Sequence, residues 1–157
     1  VDNSNLQPLL QAIRHHDHNG RLRHIWLIAT ADITQPGAVQ EGSRLLAPLV
    51  AKIVNQGLGH KVVCHYDEPA LVVPPDDVGA TYRAVSYIYE QAAPQVGLQP
   101  YQVIADITGA RATMTSGMIL ACAPRGYPLE YTSTVVDPGA KAATVLPTSE
   151  LLRVDTR

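Results

Sequence analysis

Cysteine is scarce in this chain: Cys64 and Cys122 are its two, and both lie in apolar stretches. Neither belongs to a CxxC or Cys/His pattern, so a metal or redox site built on thiols has no support and two buried free thiols in a reducing compartment are expected. No apolar run reaches the roughly 18–20 residues that a membrane-spanning helix needs, and no signal peptide is present, so the chain is not expected to cross a bilayer itself. An excess of one charge is missing as well. Twelve Lys+Arg stand against 14 Asp+Glu, a net charge of -2, unlike the basic surface of a protein that coats duplex nucleic acid. A small anionic ligand in a local pocket is compatible with that balance.

Several nucleotide and hydrolase signatures are also absent. GxGxxG does not follow the first strand-like segment. The nearby Gly57-Leu58-Gly59 falls between a helix and a strand, at the wrong end of the unit. GxxxxGK[ST] does not occur, which disfavours P-loop chemistry, and no GxSxG elbow precedes a helix. Solenoid repeats and low-complexity tracts are missing too.

What remains is an ordinary globular composition, 46% hydrophobic and 17% charged, in 157 residues. That suffices for one domain, residues 1–157, with a real core. The chain opens on Val1 rather than methionine. Residues 1–20 therefore read as a leading helix or linker from a preceding segment, with a helix over 4–16. HIWLIA (24–29), KVVCHY (61–66) and YQVIADI (101–107) read as short buried strands. Between them, Leu45, Leu46, Leu49, Val50, Ile53 and Val54 recur at helical spacing, with Pro48 expected to interrupt the helix and Gly57 to end it. Val78, Tyr82, Val85, Tyr89 and Ala92 mark a second helix capped by Asp76 or Asp77, and residues 112–122 a third. LEYTSTVV and AATVL flank DPGAK, a turn between two more strands. Alternating strands and helices predict an α/β fold: a Rossmann-like, mainly parallel sheet flanked by helices, with a C-terminal antiparallel hairpin.

Ligands of such sheets bind beyond the carboxyl ends of the strands. Two loops there share Ala-Asp-Ile-Thr: residues 31–34 after the first strand and 105–108 at the end of the third. In the second, Gly109 permits a tight turn, and the amides from Ala110 to Thr113 would open a helix where anions are favoured. Arg111 adds a planar cation suited to phosphate or base stacking. Alternatively, Thr108 is an ordinary N-cap and Arg111 a solvated residue. Asp106 either accepts a ribose hydroxyl or braces its loop. Thr30, Asp32 and Thr34 form a second polar edge, with Thr34, ahead of Pro36, doubling as a helix cap. His15, His16, Asp17 and His18 lack diagnostic metal spacing and read as a solvated helix terminus. His24 and His65 are expected to make structural hydrogen bonds, and Tyr82 and Tyr89 to serve as core or dimer surface. Neither a metal nor a cofactor is expected.

DITGARATM resembles a motif of the CARF family, the CRISPR-associated Rossmann-fold sensors, in which a strand ends in a pattern like D-x-T-G-G-T-K-x-M before a helix. Asp106, Thr108, Gly109 and Met114 match, whereas Ala110 stands at the second glycine, Arg111 at the threonine and Ala112 at the lysine. The loop ATADITQ falls where the family places its other ligand loop. The resemblance implies a homodimer cradling a cyclic oligoadenylate, the second messenger of type III CRISPR defence. The ring's own symmetry suits a two-fold protein. Cyclic tetra-adenylate is the expected ring. The ligand-binding set is then Thr30, Ala31, Asp32, Ile33, Thr34, Asp106, Thr108, Gly109, Ala110, Arg111, Thr113 and Met114. Some family members cleave the ring with help from the motif lysine, so Ala112 implies a sensor with no catalytic residue. The readings left open are a stand-alone ring nuclease and a generic nucleotide-binding module. Duplex nucleic acid is not an expected partner. The expected location is the cytoplasm, with a membrane reached only through a segment outside this chain.

Overall fold

The computed structural model describes the backbone of residues 6–136 and 145–151. Helix α1 (Gln7–His16) carries Pro8 in its first turn, where a missing N–H is harmless, and buries Leu10, Ala12 and Ile13. The segment after it is extended in two pieces, β1 (His24–Trp26) and β2 (Ala29–Thr30). The stretch expected to be an open loop is instead an antiparallel hairpin, β3 (Ile33–Gln35) and β4 (Ala38–Gln40). Gly37, at φ +82°, makes its turn after Pro36.

A 3₁₀ turn over Ser43–Leu46 leads into α2 (Ala47–Gly57). Pro48 therefore sits in the first turn of α2 rather than in its interior, and the expected kink is corrected: a proline there removes no helical hydrogen bond. Next come β5 (Val63–His65) and β6 (Val72–Val73), each parallel to a piece of the first extended segment: β5 to β1 and β6 to β2. Helix α3 (Val78–Tyr87) is capped by Asp77, whose carboxylate accepts the Ala80 amide at 2.8 Å. It runs through a π turn, Ile88–Ala92, into the short α4 (Ala93–Gln95).

The third strand is shorter than expected. Gln99 and Gln102 cap each other around a 3₁₀ turn at Pro100–Gln102, which leaves β7 as Ala105–Asp106. Helix α5 (Ala112–Cys122) follows, then β8 (Leu129–Val136), parallel to β7, and β9 (Val145–Leu151), antiparallel to β8. The expected DPGAK turn lies outside the described residues. The fold is mixed α/β, built on short parallel strand pairs and packed helices.

Two larger apolar clusters and a smaller one at Val73, Ala84 and Met114 hold it together. One gathers Leu71, Val85, Tyr89, Ala121, Cys122 and Leu129 beneath α3 and α5. The other joins α1 and α2 through Leu10, Ile13, Val50 and Val54, with Leu27 and Val62 from the strand region. The tyrosine stripe of α3 divides: Tyr89 is buried, donates to the Val103 carbonyl at 3.1 Å and stacks on Tyr127, whereas Tyr82 meets Arg125 at the surface. Cys122 is fully buried and its thiol is pushed up to about 11 by that burial, so it is an inert core residue.

Helices α3 and α5 touch at Gly117. A Cβ there would lie 2.6 Å from the Val78 carbonyl oxygen and 2.7 Å from Thr81 Cβ. Gly117→Ala is expected to lower stability by about 1–3 kcal/mol through overpacking, even after the roughly 1 kcal/mol that alanine gains in a helix. Denaturant melts of the two proteins would show it as a lower midpoint with an unchanged slope.

Candidate functional site

A cavity of about 1050 Å³ separates the β1–β2 segment from the stretch that carries β7. Thr30, Ala31 and Ile33 line one wall, and Ala105, Asp106, Thr108, Gly109, Ala110, Arg111 and Met114 line the other. Helix α1 contributes Ala12, Ile13 and His16. Residues of both Ala-Asp-Ile-Thr loops thus line one cavity. Asp32, Thr34 and Thr113 are not among its lining residues.

The first loop is fastened to the start of the following 3₁₀ turn. Thr30 is buried, its amide donates to Ser43 Oγ at 2.9 Å, and its own hydroxyl accepts the Ser43 amide at 2.9 Å. Asp32 accepts the Gly42 amide at 2.8 Å and the Arg44 guanidinium at 2.7 Å. The Arg44 bond first, and then the Gly42 amide, hold its carboxyl below the usual range. Thr34 does not cap a helix: it lies exposed in the middle of β3, opposite Val39. The proline after it belongs to a hairpin turn, not to a first helical turn.

In the second loop Asp106 braces its surroundings. One carboxylate oxygen accepts the Thr108 amide at 2.7 Å, and the other accepts His16 Nε2–H at 2.6 Å. Thr108 is buried, and its hydroxyl accepts the Thr132 amide at 2.8 Å, so it is not the N-cap of α5. Arg111 holds the N-cap position, with φ -68° and ψ 159°, and offers no side-chain cap bond. Thr113 donates to the Pro75 carbonyl at 2.6 Å. Met114 is buried against Val73 and Ala84.

Two features stay available to a ligand. Gly109 takes φ +75° with open space where a side chain would be, so the backbone can be approached closely. Arg111 is exposed, and its guanidinium makes no hydrogen bond or ion pair among the described residues. It stands at the opening turn of α5, whose first N–H groups lack helical acceptors.

The histidine cluster divides: His15 and His18 are exposed, as expected of a solvated helix terminus, whereas His16 and Asp17 are half-buried and paired. His16 ties α1 to the strands, with Nδ1 3.6 Å from Glu130 as well as the bond to Asp106, and Asp17 bonds His60 at 2.9 Å. Their partners lie 43 to 114 positions away, so local spacing gave no signal of either pair. Ser43, which locks Thr30, was equally invisible for want of a motif. His24 and His65 do share a structural hydrogen bond, at 3.0 Å across β1 and β5.

The His16–Asp106 pair gives a pH prediction. The Asp106 hydrogen bond raises the His16 pKa above its ordinary 6.5, in spite of burial. Burial pushes the Asp106 carboxyl up, but the bonds from His16 and Thr108 outweigh it and leave it below 3.8. A raised histidine stabilises fully below 6.5 and loses that contribution as pH climbs through its folded pKa. A lowered carboxylate stabilises above 3.8 and loses its contribution as pH falls through its folded pKa. The melting temperature is thus expected to decline from pH 6 to pH 8 in the wild type. The decline should be visibly flatter in His16→Gln; equal slopes in calorimetric scans would contradict the pair's role.

Among the described residues no helix is long and apolar enough to cross a membrane. No protein-family model matches the chain, and no curated protein matches it.

Proposed function

We propose that this chain is a sensor domain that binds cyclic oligoadenylate, cyclic tetra-adenylate foremost, across a homodimer to control a type III CRISPR effector. The observation that carries the reading is that the two Ala-Asp-Ile-Thr loops face one cavity, with Gly109 and a free Arg111 beside the start of α5. In this reading Thr30, Asp32, Asp106, Thr108 and Thr113 shape the loops. The Arg111 guanidinium and the backbone at Gly109 meet the phosphates; the Ala31 and Ala110 amides are spent on the Val73 and Ile107 carbonyls, which leaves the carbonyls at Ala31, Ile33 and Ala110 for sugar hydroxyls. The β5–β1 and β7–β8–β9 groups are the two halves of a Rossmann-like sheet ending in an antiparallel hairpin. The domain works in the cytoplasm, or at a membrane through a segment outside this chain.

Binding proceeds without turnover. Ala112 offers no cation at the lysine position of the motif, and both ring nitrogens of His16 face carboxylates, so His16 is not free to take a ribose proton. The test is a thermal-shift panel of cyclic tri-, tetra- and hexa-adenylate against ATP, NAD and cyclic dinucleotides, with sedimentation and chromatography of the best binder. Stabilisation by one adenylate ring, twice the chain mass and intact ring support the proposal. Rapid release of linear di-adenylate favours a ring nuclease. A response to ATP or NAD alone favours a generic nucleotide module.

A further inference from the structure

Two strands beside the cavity each leave one edge unpaired. Among the described residues β1 is paired on one side, by β5, and β7 on one side, by β8. The Leu27 amide donates to His65 and the Arg23 carbonyl accepts from Val63, so odd-numbered peptide groups of the first segment face β5. The peptide groups of His24, Trp26 and Ile28 face the other way. In the second segment the Ala105 and Ile107 amides donate to Pro128 and Glu130, which turns the peptide groups of Ile104 and Asp106 away from β8. Residues from both sets line the cavity.

The faces match as well as the edges. Trp26 and Ile28 pack against the same cluster that buries Val103 and Ala105. On the other face Leu27 packs with Leu10 and Ile13 of α1, the helix whose His16 reaches Asp106. Ile104, on the face of Asp106, is 46% exposed and would be covered beside Leu27 if the edges met. Each unpaired edge is a template for strand pairing.

We propose that the cavity is an opening in one parallel sheet, that the sheet closes by pairing β1 with β7, and that a bound ligand favours the closed form. The last clause rests on the function proposed above. Closure would set the two Ala-Asp-Ile-Thr loops side by side at the carboxyl ends of neighbouring strands. A ligand touching both loops would bind that arrangement more tightly, and differential affinity of this kind shifts the equilibrium.

Amide hydrogen exchange, resolved by residue, reads the closure directly in the presence and absence of cyclic tetra-adenylate. Without ligand the amides of Trp26, Ile28 and Ile104 should exchange at least tenfold faster than those of Leu27 and Ala105. Saturation, checked by calorimetry, should remove the difference. Fast exchange that persists in the saturated protein overturns the closure, and slow exchange in both states overturns the opening. Absence of binding defeats the functional reading alone, and a second arm then decides the closure without any ligand. Leu27→Cys with Ile104→Cys should form a disulfide under mild oxidant, mapped by peptide mass, whereas Ile28→Cys with Ile104→Cys, on opposite faces, should not. No cross-link in the first pair, or equal cross-linking in both, overturns the proposal.

Discussion

Arg111→Ala is expected to weaken cyclic tetra-adenylate binding by more than tenfold while leaving the melting temperature of the free protein almost unchanged. Arg111 is exposed, sits at the N-cap position and has no partner among the described residues, so its removal breaks nothing in the folded chain. A charge-assisted contact to a phosphate is another matter. Losing one costs about 1.5–3 kcal/mol, and a two-fold site would lose the contact twice. The helix loses little, because the N-cap Arg111 supplies no side-chain bond to the first turn. Titration calorimetry and thermal melts of the same preparation separate the alternatives. Unchanged affinity would make Arg111 a solvated residue, and a collapse of the free protein's stability would make it structural.

The elements read most readily from the sequence are those whose signal is local. Asp77 caps α3, and Val85, Tyr89 and Ala92 are buried along the face their spacing predicts. The strands proved harder, because their apolar runs are longer than the pairing they sustain. YQVIADI contains a 3₁₀ turn, since Pro100 and the reciprocal Gln99–Gln102 bonds favour a turn over extension at its start. The loop expected over residues 31–34 belongs to a hairpin, because the turn formers of TADITQPG close two short strands around Pro36-Gly37.

The candidate site was legible in position more than in chemistry. The two Ala-Asp-Ile-Thr loops do come to one cavity. Their polar side chains, however, are spent on the protein itself: Thr30 on Ser43, Asp32 on Gly42 and Arg44, Thr108 on Thr132, Thr113 on Pro75. A buried hydroxyl or carboxylate must find a partner, and a sequence does not say whether that partner is ligand or backbone. His16 shows the same limit, because its carboxylate neighbours Asp106 and Glu130 come from strands far along the chain.

Gly42→Ala is expected to be the most damaging small substitution in the first loop. The backbone of Gly42 is ordinary, with φ -83° and ψ 168°, a conformation alanine adopts without strain. Space, not dihedral freedom, forbids the side chain: a Cβ would collide with the carbonyl oxygens of Thr30 and Ala31. Those atoms are backbone and cannot swing aside as a side-chain tip would. Relief requires moving Gly42 away from the loop, which stretches its amide bond to Asp32 and pulls Ser43 off Thr30. Overpacking of this kind costs about 3 kcal/mol at the upper end of its common range. For a chain of this size that is a fall of roughly 6–12 °C in melting temperature. The same shift displaces Thr30 and Ala31 from the cavity wall, so ligand affinity should fall together with stability, unlike in Arg111→Ala. Thermal melts and calorimetry on Gly42→Ala would show both losses. A melting temperature within about 1 °C of wild type, well below the shift those magnitudes imply, would mean that the Gly42 junction yields without disturbing the loop.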